Sequence, residues 1–285
     1  MEERKEIIIN LVPTGMLPTR EQTPHVPLEP DEIVDDVLAC CELGITMVHL
    51  HARDREGRPE WRPEIFGEII SSIRAEQPQL VICVTCSGRT YNELEKRSAV
   101  LELSGLSKPD MASLTLSSLN FNWQASVNEP STIIALAEKM KEKKIKPELE
   151  AFDLGMINYA RYLSRKNILL PPFYFNLIFG NIACAQANLL SVGMLINELP
   201  PGALYSLGGV GDFQHMVTTL AVVLGCGARI GLEDNIWLDR GRRKPATNRG
   251  LVSRLHTIMK VMETTVMPPA RLRNLLELDD RRETR

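Results

Sequence analysis

Short apolar runs alternate with longer amphipathic stretches along almost the whole chain. Residues 6–12 (EIIINLV) are nearly all apolar and rich in β-branched side chains, as expected of a strand buried on both faces. A loop punctuated by Pro13, Pro18, Pro24, Pro27 and Pro30 follows. Pro30-Asp31-Glu32 then opens a helix, because proline suits the first helical position and acids suit the positive end of the helix dipole. Ile33, Val37, Leu38 and Cys41 give it an apolar stripe, and the run from Gly44 to His51 predicts a second strand. The same alternation predicts strands over 80–85, 111–116, 146–152, 173–178, 203–207 and 228–232. Helices are predicted over 63–74, 91–103, 131–144, 156–165, 183–196, 213–224 and 248–264. Eight strand–helix units without a break in composition predict one (β/α)8 TIM barrel over 1–285, its Pro-rich first loop (13–30) lying over the active-site face. No Gly-x-Gly-x-x-Gly motif supports an open doubly wound sheet.

In such a barrel the reactive groups lie at the C-terminal strand ends, and polar residues cluster there. His49 and His51 end the second strand and, two residues apart, share one face. Thr85 and Ser87 end the third, Ser113 and Thr115 share a face of the fourth, and Glu148 and Glu150 a face of the fifth. Arg229, Glu233 and Asp234 surround the end of the eighth. Closure sets the eighth strand beside the first and the first beside the second, so Glu233 can approach the two histidines. Two histidines, one carboxylate and an open position make a catalytic zinc composition. The plainer alternatives are core histidines satisfied by hydrogen bonds and two acids on a solvated loop.

Composition narrows the class. A length of 285 residues suits one barrel, and 44% hydrophobic against 24% charged residues gives ample core and little reason for disorder. A net charge of -3 argues against nucleic acid as the main partner. No stretch approaches the roughly 20 apolar residues that cross a bilayer, and no signal-type segment follows the charged start. The six cysteines offer one Cys-x-x-Cys spacing, Cys83 to Cys86, inside a predicted strand; all six are expected to be free thiols of a cytoplasmic protein.

The runs Pro13-Thr14-Gly15, Val48-His49-Leu50-His51-Ala52-Arg53-Asp54 and Gly227-Ala228-Arg229-Ile230-Gly231-Leu232-Glu233-Asp234-Asn235 resemble those of the β-keto acid cleavage enzymes. That family is typified by 3-keto-5-aminohexanoate cleavage enzyme. Ser117-Ser118-Leu119-Asn120-Phe121 and Glu148-Leu149-Glu150-Ala151-Phe152-Asp153 extend the resemblance over nearly the whole chain. It implies a zinc-dependent barrel, usually a homotetramer, that uses acetyl-CoA to cleave a 3-keto acid into acetoacetate and a new acyl-CoA. It further implies His49, His51 and Glu233 as zinc ligands, Asp234 as general base, and Arg229 as the group stabilising that base and substrate oxyanions. Thr85 and Ser113, then Ser87 and Thr115, are implied to hold the substrate carboxylate, and Glu150 matches a substrate-facing acid.

One departure bears on specificity. Members that cleave the amino-substituted substrate carry a Glu shortly after the first-loop glycine, where this chain has Leu17. An ammonium facing leucine would lose its counter-charge, at a cost of about 1 kcal/mol or more, so an uncharged or apolar acyl chain is expected. Gly209 and Gly211 could cradle CoA phosphates, although a tight turn is the more common explanation, and Asp212 stands where many relatives carry Arg. Arg240, Arg242, Arg243 and Lys244 could meet the nucleotide phosphate or simply face solvent, and His25, His215 and His256 are read as structural. The rivals are a metal-dependent aldolase or hydrolase barrel that uses no CoA, and a non-catalytic barrel binding a small acid or a metal.

Overall fold

The eight apolar runs form the staves of a closed barrel. The computed structural model describes residues 5–278. Its staves are β1 (Ile9–Leu11), β2 (Met47–Leu50), β3 (Val81–Val84) and β4 (Met111–Thr115). They continue as β5 (Lys146–Ala151), β6 (Tyr174–Phe179), β7 (Leu204–Gly209) and β8 (Gly227–Ile230). Every neighbouring pair is parallel and in chain order, and β8 pairs with β1 to close the sheet. Side chains fill the inside and helices cover the outside, which is why the strands read as near-continuous apolar runs.

One helix follows each strand: α1 (Pro30–Cys41), α2 (Pro63–Glu76), α3 (Leu94–Ser98) and α4 (Pro130–Glu142), then α5 (Leu154–Arg165), α6 (Leu189–Asn197), α7 (Gln214–Leu224) and α8 (Asn248–Val261). Proline stands in the first turn of α1, α2 and α4, where its missing N–H costs nothing.

Four departures from the expected elements have local causes. Residues Glu6–Ile7 leave the barrel to pair with Thr265–Val266, and the Thr46 hydroxyl accepts the N–H of Ile9 at 3.0 Å where the strand restarts. The helix expected over 183–196 begins only at Leu189, because the Asn188 side chain caps it by accepting the N–H of Ser191 at 2.9 Å. The helix expected over 91–103 shortens to α3 and a 3-10 turn, with Arg97 turned inward to donate to the Cys86 carbonyl at 2.9 Å. Finally β7 runs on to Gly209 rather than stopping at 207.

An unexpected helix, α9 (Pro269–Leu275), closes the N-terminal end of the barrel. Leu272 and Leu276 pack there with Met47, Val81, Met111 and Tyr174. That apolar plug leaves the C-terminal end as the way in.

Candidate active site

His49 lies within β2 and His51 just beyond it, both buried. Their Nε2 atoms stand 3.3 Å apart, and Glu233 Oε1 is 3.4 Å from His51 Nε2. Ligand atoms about 2.1 Å from a tetrahedral metal are about 3.4 Å from one another, so this spacing is that of a coordination shell. The other Glu233 oxygen, Oε2, is buried without a hydrogen-bond partner. Spacing, donor set and an unsatisfied carboxylate oxygen together fit a divalent metal at His49, His51 and Glu233.

A second potential ligand group shares His49 with Cys83 and Glu148. Its contacts are already hydrogen bonds. Glu148 Oε2 meets His49 Nδ1 at 2.5 Å and accepts the Cys83 thiol at 3.3 Å, while Asn10 donates to Oε1 at 2.9 Å. Burial pushes the Cys83 thiol far above its ordinary range, and the thiol proton is given to Glu148. Burial pushes Glu148 up too, but the His49 charge and hydrogen bond hold it down at about 2. Glu148 thus turns His49 so that Nε2 faces His51, as a carboxylate behind a metal-binding imidazole does. Burial lowers His49, yet Glu148 and Glu233 lift it to about 9: this acid-rich surround draws positive charge, whether proton or metal.

Arg229 lies within β8 and is the largest fully buried side chain described. Its Nε donates to Asp234 Oδ2 at 2.9 Å and its Nη2 to Glu233 Oε1 at 2.7 Å, leaving Nη1 buried without a partner. Burial raises Asp234, the Glu233 charge adds to the rise, and Arg229 opposes it. Glycines make the room. A Cβ on Gly208 would stand 3.0 Å from Arg229 Cδ, and one on Gly15 (φ +63°) would fall 2.8 Å from Glu233 Cβ. The first loop is stapled there by Arg53, which donates to the Gly15 carbonyl at 2.8 Å.

These groups face a cavity of about 110 Å³, large enough for a small acid but not for a nucleotide. Thr85, Ser87, Thr115 and Glu150 line it, with Leu17 from the first loop and Leu119, Phe121, Phe152 and Ile178 as apolar wall. The Thr115–Glu150 register sets those side chains together, and the Thr115 hydroxyl donates to Glu150 at 2.6 Å. Ser113 is not in the lining. It sits a layer deeper, where its hydroxyl accepts the N–H of Cys86 at 3.1 Å.

The phosphate-cradle expectation also fails on geometry. Gly209 is inside β7, where a Cβ would stand 2.6 Å from the Phe213 carbonyl oxygen, and the Gly211 N–H already donates to the Asp234 carbonyl at 2.7 Å. Arg242 pairs with Asp212 at 2.9 Å beside a second, open cleft of about 220 Å³. That cleft meets the cavity at Leu17, Glu233 and Asp234. The structural reading of His256 agrees with its bond to the Gly44 carbonyl at 3.0 Å. Sequence reasoning missed Arg89, a cavity-lining residue whose guanidinium carbon lies 3.3 Å from the Phe121 ring centre.

Fold and site together define a barrel enzyme whose reactive groups gather at the C-terminal strand ends. The chain belongs to the beta-keto acid cleavage enzyme family, whose model matches residues 6–278. It is 30% identical to a 3-keto-5-aminohexanoate cleavage enzyme of Fusobacterium nucleatum subsp. nucleatum over 96% of this chain and 98% of that one. It is 33% identical to a 3-oxoadipate:acetyl-CoA acetyltransferase of Cupriavidus necator over 95% of this chain and 94% of that one. The structure of ObcA in a ternary complex with C4-CoA adduct and oxalate shares the fold, with a TM-score of 0.77 at 20% identity over 90% of this chain and 68% of that one.

Proposed function

We propose that the protein is a zinc-dependent enzyme that condenses a 3-keto acid with acetyl-CoA and releases acetoacetate and a new acyl-CoA. The observation that carries this is the juxtaposition of the His49–His51–Glu233 donor set with the Arg229–Asp234 pair on one small cavity. Relatives named for an amino-substituted acid and for 3-oxoadipate share the 3-oxo acid, and acetyl-CoA stands in the name of the latter.

His49, His51 and Glu233 would hold a zinc ion, which would supply Lewis acidity that favours loss of a proton from the carbon between the two carbonyls. Asp234, raised by burial, is the base that holds the proton from C2. The C2 carbanion attacks the acetyl thioester and CoA thiolate leaves. The thiolate then adds to the original 3-oxo carbon, the C2–C3 bond breaks, and Asp234 returns its proton to C2 of acetoacetate. Arg229 Nη1 is the donor left over for a substrate oxygen, and Thr85 and Ser87 offer hydroxyl protons to the carboxylate, the Thr115 proton being given to Glu150. The acetyl thioester enters through the open cleft beside Trp237, its nucleotide staying outside the cavity. Leu17 on the cavity wall disfavours an ammonium on the acyl chain, a statement contradicted by equal turnover of an amino-substituted acid and its uncharged analogue.

The first loop, carrying Met16 and Leu17, acts as the roof of this face. Placement in the cytoplasm rests on the six free thiols, and no helix among the described residues is long and apolar enough to cross a membrane. A homotetramer is supported by the exposed apolar side chains of α6 and the turn before it, Ile182, Leu189, Leu190 and Met194. Light scattering is expected to give four times the chain mass; a monomer contradicts it. The functional reading is tested by omitting acetyl-CoA. Cleavage is expected to stop, whereas cleavage in its absence would make the protein an aldolase or hydrolase.

A further inference from the structure

Arg89 is the cavity cation that the chemistry above leaves unused. It stands past the end of β3 and is half-buried, with its guanidinium stacked on Phe121. Among the described residues no carboxylate stands within ion-pair distance of it, although Glu233 and Glu150 line the same cavity and their charges reach it. Its backbone N–H is fixed by the Ser87 hydroxyl at 3.3 Å, so the side chain leaves from an anchored turn. Stacking on an aromatic face holds a guanidinium in place while leaving its N–H edge free to bind an anion.

We propose that Arg89 is a specificity-determining residue that reads a negative charge at the far end of the acyl chain, so that the preferred substrate is a 3-keto dicarboxylic acid. The inference rests on the 3-keto acid reading above. Asp234 fixes where C2 reacts, and the adjoining C1 carboxylate has hydroxyls at Thr85 and Ser87. The remainder of the chain meets the apolar wall of Leu119, Phe121, Phe152 and Ile178, along which Arg89 is stacked. An apolar chain end over Arg89 would strip water from a cation and return no hydrogen bond, a carboxamide would return one to its carbonyl oxygen, and a carboxylate supplies two that are charge-assisted. Leu17 offers a cation no counter-charge from the first loop, and Arg89 offers one to an anion. The uncharged chain expected from Leu17 alone therefore gives way to an anionic one.

The test compares two 3-keto acids of equal length, one ending in a carboxylate and one in a carboxamide, with acetyl-CoA as co-substrate. Wild type is expected to prefer the dicarboxylate by about 10- to 100-fold in kcat/KM, mostly through KM. Arg89→Met should bring the ratio near unity, and Arg89→Lys should keep part of it. No preference in wild type overturns the proposal. So does an equal loss on both substrates in Arg89→Met, which would assign Arg89 to the shared C1 carboxylate, or a rise confined to the KM of acetyl-CoA. If wild type turns over neither acid, the reading of the reaction has failed rather than the anion site. Calorimetric binding of the same two acids then decides: tighter dicarboxylate binding that Arg89→Met abolishes supports the site, and equal binding of the two overturns it.

Discussion

Asp234→Asn is expected to lower kcat by about 10²–10⁴-fold while the protein keeps its fold and the proposed donor set of His49, His51 and Glu233. The amide has nearly the same shape and still accepts a hydrogen bond from Arg229 Nε, now 2.9 Å from Asp234 Oδ2, but it cannot take a proton. The substitution also removes one of two acids facing a single guanidinium, so Glu233 gains rather than loses counter-charge. The predicted deficit lies in kcat with KM for the keto acid little changed, because the proton transfer is a transition-state event. Steady-state kinetics beside metal analysis of the same sample checks it. An enzyme that keeps more than a tenth of its kcat would assign the base elsewhere, with Glu150 the next candidate on the cavity wall.

His49→Ala and Glu233→Ala each abolish both metal binding and turnover. Each removes one of three protein donors, and the two lie on β2 and after β8, far apart in the chain. Glu233→Ala also deletes a charge that Arg229 contacts at 2.7 Å, yet Asp234 keeps that arginine paired. The fold is therefore expected to survive, which separates lost metal from lost structure. Elemental analysis of purified wild type is expected to give about one zinc per chain and near none in either variant. Zinc retained at full occupancy in both would break the link between the two strand ends. The alternative cluster of His49, Cys83 and Glu148 would be lost in His49→Ala but kept in Glu233→Ala, so the pair of variants tells the two sites apart.

The barrel was legible because its strands are buried on both faces and so appear as apolar runs of the right length, separated by helical periods. The grouping of His49, His51 and Glu233 was legible for a topological reason: closure brings the end of the eighth strand to the second, so the three could be joined without knowing a distance. Depth was not legible. Alternation says that Ser113 and Thr115 share a face, but two residues along a strand is about 6–7 Å, enough to take Ser113 out of the cavity and onto the Cys86 amide. The same ambiguity hid the task of Glu148, which proved to lie behind His49 while Glu150 faces the cavity.

Other omissions have different causes. Arg89 and Phe121 meet between two loops after different strands, a contact that no local pattern encodes. Arg53 was quoted as part of a motif, but its job of holding the first loop by backbone carbonyls depends on the loop's path. The helix α9 was readable in principle, since Pro268-Pro269 is a helix-start signal and Leu272 and Leu276 are four apart. The shortened α6 shows a cap outweighing an apolar pattern, because Asn188 fixes the start wherever its side chain can reach the backbone.

The most direct test is the fate of acetyl carbon. Acetyl-CoA labelled with carbon-13 in the acetyl group, incubated with a 3-keto acid and the enzyme, is expected to deliver its label to C3 and C4 of acetoacetate and to leave the new acyl-CoA unlabelled. Label in the acyl-CoA, or acetoacetate without label, would contradict condensation at C2 and with it the assignment of Asp234 as the base.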